Sequence, residues 1–141
     1  LDRLLRVRQT IGLRNSGHSL VKLLAPTESK ALLVTSYTHP EYLVSMTESL
    51  RIVGQHAMLL RATEGEPVAH PMRAPAIDVL RDGQLIRVQE KTEGSARSVP
   101  QLPSIEAAET ADYIRRILQG QEAMPEPIEQ QINLVWHAAS A

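Results

Sequence analysis

The chain lacks several residue types on which common folds and sites depend. Its 141 residues include no cysteine, which excludes a disulfide framework and a thiolate metal site. There is no phenylalanine, and there are only one tryptophan and three tyrosines. We therefore expect an aliphatic core and no aromatic base-stacking platform of the kind that RNA-recognition domains use. No apolar run is long enough to span a membrane, so we expect a cytoplasmic protein.

The remaining composition is that of an ordinary folded domain. Hydrophobic residues make up 43% of the chain and charged residues 22%. This length and composition are enough for one domain with its own core, and we expect a single domain over 1–141. Both ends resemble cut points, so we interpret the sequence as a fragment of a longer protein.

Charge is spread unevenly along the chain, although the net charge is only −1. A net charge this small provides no overall attraction to nucleic acid. The first 24 residues nevertheless contain a single acid, Asp2, and five basic residues, namely Arg3, Arg6, Arg8, Arg14 and Lys22. These residues are candidates for contacting an anionic partner, and the simpler alternative is a solvated helix face.

Apolar spacing together with capping and turn residues predicts five helices. The first ends at Gly12, and the second is capped by Asn15 or Ser16 and closed by Pro26. A third begins at Pro40 and ends at Gly54. A fourth covers about 105–119 with Ser104 as its cap, and a fifth follows the prolines at 125 and 127.

Four predicted strands accompany these helices. The runs 31–37 and 56–62 enclose the third helix, and such a strand–helix–strand unit predicts a parallel pair with a right-handed crossover. The runs AIDVL and QLIRVQE flank Asp82-Gly83, a strong hairpin signal. We expect an α/β fold with a mainly parallel sheet, flanking helices and one β-hairpin.

Two loops leave the carboxyl ends of the predicted parallel strands, where ligands of open α/β sheets bind. One contains Thr38 and His39 and leads into a helix N-terminus, which suits a phosphate. The alternative for Thr38 is a plain N-cap. The other loop contains Glu64 and Glu66, a carboxylate pair able to hold Mg²⁺ or to remain solvated.

Several familiar site patterns are absent from the sequence. The five histidines show no close metal-ligand spacing, and no nucleophile elbow, Walker loop or dinucleotide-binding glycine motif occurs. His18 and Lys22, one turn apart, predict a small polar and cationic face or an exposed helix edge. We therefore predict no catalytic residue and no metal site in this sequence.

Several segments of the chain resemble the anthranilate phosphoribosyltransferase family of the glycosyltransferase family 3 fold. They are VRQTIGLRN at 7–15 with its continuation to Pro26, SYTHPEYL, and the late INLVWHAAS. The resemblance implies that the chain is the C-terminal α/β part of a homodimeric, two-domain protein. A helical N-terminal domain and the phosphate-binding loop would precede Leu1. It also places Arg8 at the family's anthranilate-contacting position. A substrate-like pocket would include Arg8, His18, Thr38, His39, Glu64 and Glu66.

The departures from this family fall on its chemistry. The family's metal-binding Asp-Glu pair is replaced by Pro67 and Val68, neither of which can coordinate Mg²⁺. RNSGHSL and TEGEPVAHP resemble the YbiB-type, or TrpD-like, branch of the family, which implies non-specific binding of single- or double-stranded nucleic acid without a cofactor. Two alternatives remain open. One is an active phosphoribosyltransferase acting on an aromatic amine with Mg²⁺ and phosphoribosyl pyrophosphate, and the other is a scaffolding or dimerisation domain.

Overall fold

The computed structural model describes residues 2–13, 15–25, 27, 31–61, 66–92 and 101–140. The helices are α1 (Asp2–Ile11), α2 (Ser16–Leu20), α3 (Pro40–Ile52), α4 (Ala107–Leu118) and α5 (Glu126–Ser140). The strands are β1 (Leu33–Tyr37), β2 (Ala57–Arg61), β3 (Ile77–Arg81) and β4 (Gln84–Gln89). A short 3₁₀ turn, Val21–Leu23, follows α2. The α/β fold class is confirmed.

The first two helices contact each other, and their ends follow the sequence signals. Gly12 has a φ of +70°, and its N–H donates to the Arg8 carbonyl at 2.9 Å, so α1 ends where predicted. The Asn15 side chain caps α2 by accepting from the Gly17 N–H at 2.9 Å and also donates to the Leu4 carbonyl at 2.8 Å. One side chain thus fixes α2 and joins it to α1.

Strands β1 and β2 are parallel neighbours in the sheet, and α3 connects them along the chain. This confirms the predicted strand–helix–strand unit. Leu33 pairs with Ala57, and Tyr37 pairs with Arg61. Pro40 occupies the first turn of α3, where its missing N–H has no cost. The N-cap is His39, so the alternative that placed Thr38 there was wrong by one residue.

The hairpin of β3 and β4 is also confirmed. Asp82 and Gly83 both have positive φ, at 49° and 75°, as a tight two-residue hairpin turn requires. The sheet order is β1-β2-β3-β4, and β3 is antiparallel to both of its neighbours. The sheet is therefore mixed, and the prediction of a mainly parallel sheet was wrong. The described connection at 66–76 contains no helix of the kind that a parallel crossover uses.

Helices cover both faces of the sheet. On one face Leu50 of α3 packs with Tyr37, Ala57, Leu59 and Leu80. On the other face, strand residues pack against one buried and two half-buried apolar residues of α5. The strand residues are Met58, Leu60, Ile77 and Val79, and the α5 residues are Ala138, Leu134 and Val135. The core is thus aliphatic, with Tyr37 at one end.

Helices α1 and α4 lie at the periphery of this structure. Helix α1 has no buried residue, and α4 buries only Tyr113. Glu106 is the N-cap of α4, while the Ser104 hydroxyl accepts from the Glu106 N–H at 3.2 Å, so the predicted cap was two residues early. Among the residues that the structure describes, no helix is both long and apolar enough to cross a membrane.

Candidate functional site

The arginines of α1 are all exposed to solvent. Arg6 donates from Nε to the Asp2 carboxylate at 2.7 Å, one helical turn earlier. Arg3 and Arg8 form no ion pair within the described part of the chain. Both charges are therefore available to a phosphate oxygen, which is the main electrostatic requirement for contacting a nucleic-acid backbone.

These arginines do not form a single row on the helix. At 100° per residue, Arg3 and Arg6 lie about 60° apart, whereas Arg8 lies roughly 140° from Arg3. Between Arg3 and Arg8 runs an exposed apolar row of Leu4, Val7 and Ile11, which are 43%, 40% and 53% exposed. Arg3 and Arg6 therefore lie on one side of α1, and Arg8 lies on a different side.

The remaining basic candidates are less clearly placed. Arg14 lies outside the described residues. Lys22 lies in the 3₁₀ turn after α2, is half-buried and already has an interaction partner. His18 is half-buried, and its Nδ1 accepts from the Asn15 N–H at 3.3 Å, which closes the N-terminus of α2. The sequence predicted a polar face for His18, and the structure gives this residue a capping role.

The loop after β1 occupies the predicted ligand edge of the sheet. Thr38 and His39 are hydrogen-bonded to each other, with 3.0 Å between Oγ1 and Nδ1. The His39 ring also meets the Tyr42 ring edge-on, with centroids 5.8 Å apart. Within the described residues, no hydrogen bond joins this pair to His18 or Arg8, and a pocket shared by these candidates stays a prediction.

The second loop of this edge offers little to a metal. Glu64 lies outside the described residues, and Glu66 is exposed. Across the described ranges, no group of three histidine, cysteine, aspartate or glutamate residues is arranged to hold a metal ion. Pro67 and Val68 have no side-chain oxygen, so neither can coordinate Mg²⁺ through its side chain.

A buried glutamine instead fixes this segment to α5. Gln131 is 7% exposed, and its Oε1 accepts from the Ala69 N–H at 2.6 Å. Its Nε2 donates to the Pro67 carbonyl at 2.8 Å. One side chain therefore satisfies backbone groups on both sides of Val68, and the segment is held by a neutral amide.

A polar cluster that sequence reasoning missed lies beside the core. Asp78 is 3% exposed, and Arg87 on the neighbouring strand donates to it twice, from Nε at 2.6 Å and from Nη2 at 3.3 Å. The hydrogen bond to Asp78 is the main cause that raises the pKa of Arg87. Burial, followed by the negative charge of Asp78, raises the pKa of Tyr37.

The hairpin signal could have revealed this ion pair. Counting back from the Asp82-Gly83 turn places Asp78 directly opposite Arg87, as the structure has them. An acid inside the apolar run IDVL requires a partner, and the opposite strand supplies one on the same face. The Gln131 contacts have no such signal, because they join residues 62 and 64 positions apart.

Comparison with known proteins gives one informative similarity. The chain is 35% identical over 134 residues to "Uncharacterized protein YbiB" of Escherichia coli (strain K12). The aligned region covers 94% of this chain and 41% of that relative, so the chain spans less than half the length of the protein that it matches. No family model matches the chain. The chain is thus similar over nearly its whole length to one part of a larger protein.

Proposed function

We propose that this chain is the C-terminal α/β part of an anthranilate phosphoribosyltransferase-like protein, of the YbiB-type branch, that binds nucleic acid without sequence specificity. The observation that carries the proposal is the set of exposed arginines on α1, two of which form no ion pair within the described residues. Neutralising backbone phosphates supplies most of the affinity of non-specific binding. Arg3 and Arg6 would contact phosphates on one side of α1, and Arg8 on another.

The composition of the metal-ligand positions supports loss of transferase chemistry. Transfer from phosphoribosyl pyrophosphate depends on a metal ion that neutralises the pyrophosphate charge. Here Pro67 and Val68 stand at those positions, and the segment around them is bonded to Gln131. The protein would use its surface charge to bind nucleic acid. We also propose that the full protein is a homodimer with a separate N-terminal domain.

The test is fluorescence anisotropy of labelled single-stranded and duplex oligonucleotides, titrated with the full protein across a range of salt concentrations. We expect affinity to fall steeply with salt and to depend little on sequence. Replacing Arg3, Arg6 and Arg8 by alanine should reduce the duplex salt slope by up to about 2.7, since each neutralised phosphate contributes about 0.9. The single-strand slope should change less, at about 0.7 per contact.

A matched control separates a local contact from a general loss of positive charge. Arg61, Arg73 and Arg81 are three exposed arginines outside α1, and replacing them by alanine removes the same formal charge. We expect that variant to keep most of the affinity and slope. Equal losses in the two variants would mean that α1 is not the interface, and absence of binding at low salt would overturn the proposal.

The alternative, an active transferase, predicts a different result. It requires Mg²⁺-dependent consumption of phosphoribosyl pyrophosphate with anthranilate or another aromatic amine, and Glu64 and Glu66 as replacement ligands. Turnover by the full protein that disappears in the Glu64→Gln, Glu66→Gln variant would support it. We expect no turnover in the unmodified protein.

A further inference from the structure

Helix α1 carries two exposed apolar side chains that the described fold does not use. Val7 and Ile11 lie one turn apart and are 40% and 53% exposed. Within the described residues, neither belongs to a hydrophobic cluster of the core. Leu4, in the same row, differs because it rests on α2, where a Cβ at Gly17 would come within 2.7 Å of its Cδ2. One end of the row is therefore tied to α2, and the other end is open to a partner.

Arginines flank this open pair on both sides. At 100° per residue, Arg3 lies about 60° to one side of the midpoint between Val7 and Ile11, and Arg8 lies about 80° to the other side. Both arginines are exposed and form no ion pair within the described residues. Asp2, the single acid of the first 24 residues, lies about 160° from the same midpoint. This surface therefore has an apolar centre between two positive edges.

An apolar centre between positive edges matches a kinked DNA duplex better than an undeformed one. The minor groove has a row of phosphates along each side, one for each positive edge. The floor of either groove presents hydrogen-bonding groups, which aliphatic side chains would leave without partners. The faces of the bases are apolar, and away from its ends a duplex exposes them only where a step is unstacked. Many minor-groove proteins insert aliphatic side chains at such a step.

We propose that Val7 and Ile11 act as a wedge, which enters the minor groove of duplex DNA, opens one base step and bends the duplex. Arg3 and Arg8 then contact the phosphate rows on the two sides of the groove. This role rests on the proposed function and adds to it the form of the nucleic acid and the mode of binding. Contacts with base faces and phosphates read no hydrogen-bond code, so binding stays without sequence specificity.

Energy transfer between dyes at the two ends of a short duplex measures the bend. We expect the full protein to raise the transfer efficiency, since a kink at the wedge brings the ends closer. Val7→Ala with Ile11→Ala should abolish this rise and keep most of the salt slope of binding, because the arginines remain. The matched control is Ile52→Ala with Val53→Ala, a pair 84% and 70% exposed at the end of α3, and it should bend the duplex normally.

A mismatched base pair tests whether unstacking is part of the binding. A duplex with one mismatch should bind about tenfold tighter than the matched duplex of the same sequence, because the mismatched step opens more easily. The variant with Val7→Ala and Ile11→Ala should bind both duplexes equally. A preference for the mismatch that survives in this variant overturns the wedge.

Cysteine labelling tests whether this face of α1 is open in the full protein and covered by DNA. The chain has no cysteine, so Ile11→Cys introduces one at a chosen place, with any cysteine outside this chain changed to serine. We expect a thiol reagent to label it rapidly, and bound duplex to slow the labelling. Gln9→Cys, exposed on the opposite side of α1, should react equally with and without duplex. An unreactive cysteine at position 11, or equal protection at both positions, overturns the wedge.

The same measurements separate the wedge from the proposed function. Salt-dependent binding of duplex without a bend overturns the wedge and leaves non-specific binding through the arginines in place. Absence of oligonucleotide binding at low salt overturns both.

Discussion

The sheet and helix α1 differ sharply in how they use their apolar residues. Among the residues that the structure describes, six large side chains are fully buried, five of them on β2 and β3 and one, Leu50, on α3. Helix α1 has no buried residue among its ten, although four of them are leucine, valine or isoleucine. The free energy of folding is therefore concentrated in the sheet and the helices that cover it. The peripheral helices can present charge and apolar surface to partners with little cost to the fold.

The largest expected effect tests the sheet side of this contrast. Leu60 is 0% exposed between β1, β3 and α5, and Leu60→Ala removes buried methyl groups and leaves a cavity. We expect a loss of about 2–5 kcal/mol in the free energy of unfolding, measured by urea titration. Leu20→Ala, on the 55%-exposed Leu20 of α2, should change it by less than about 0.5 kcal/mol. Similar losses in both variants would invalidate the contrast.

The next effect concerns the attachment of α5. Gln131→Ala leaves the Ala69 N–H and the Pro67 carbonyl without their partner, and we expect a loss of about 1–3 kcal/mol. Gln130→Ala is the matched control, because Gln130 only donates to Glu126 within the exposed part of the same helix. Hydrogen exchange of the Ala69 amide should accelerate in the first variant alone. An unchanged exchange rate there would remove Gln131 from this role.

A smaller effect is expected on the α1 side. Asn15→Ala removes the cap of α2 and the contact with the Leu4 carbonyl, and we expect a loss of about 1 kcal/mol. Faster amide exchange should be confined to α1 and α2, because α1 buries no residue and α2 buries only Gly17. Faster exchange throughout β2 and β3 would show that the two regions are coupled.

The smallest effect depends on pH. Burial, and then the nearby charge of Arg81, lowers the pKa of His56, while Asp82 acts in the opposite direction. The unfolded chain therefore takes up a proton more readily, and stability should be full above about pH 6.5 and fall as pH decreases through the lowered folded pKa. Urea titrations at neutral and mildly acidic pH should show this decrease, and His56→Gln should flatten it. If the unfolding free energy changes with pH equally in both proteins, the change comes from groups other than His56.

The sequence predicted those features that depend on neighbouring residues. Gly12, Pro40 and the Asp82-Gly83 turn each set local backbone geometry, and the structure has them where the sequence placed them. The caps at Thr38 and Ser104 were misplaced by one and two residues, since several polar residues in a row can serve the same purpose.

Features set by distant residues were harder to predict. The direction of β3 depends on the route of the connection between β2 and β3, which periodicity does not specify. The candidate arginines were recognised by charge, but their separation around α1 follows only from the helical phase. The candidate pocket stays a prediction, and one of its residues, Glu64, lies outside the described ranges.

The Gln131 contacts have a consequence for the order in which the chain acquires its structure during synthesis. The four strands are neighbours in the sheet in the same order as in the chain. Each strand after β1 can therefore pair with a strand that has already been synthesised. The segment around Val68 must wait for a residue that emerges 62 positions after Ala69. At about 5–20 residues per second, this delay amounts to roughly 3–12 seconds on the ribosome. During that time the face of the sheet that α5 covers is open, and exposed apolar surface of this kind favours aggregation and chaperone binding.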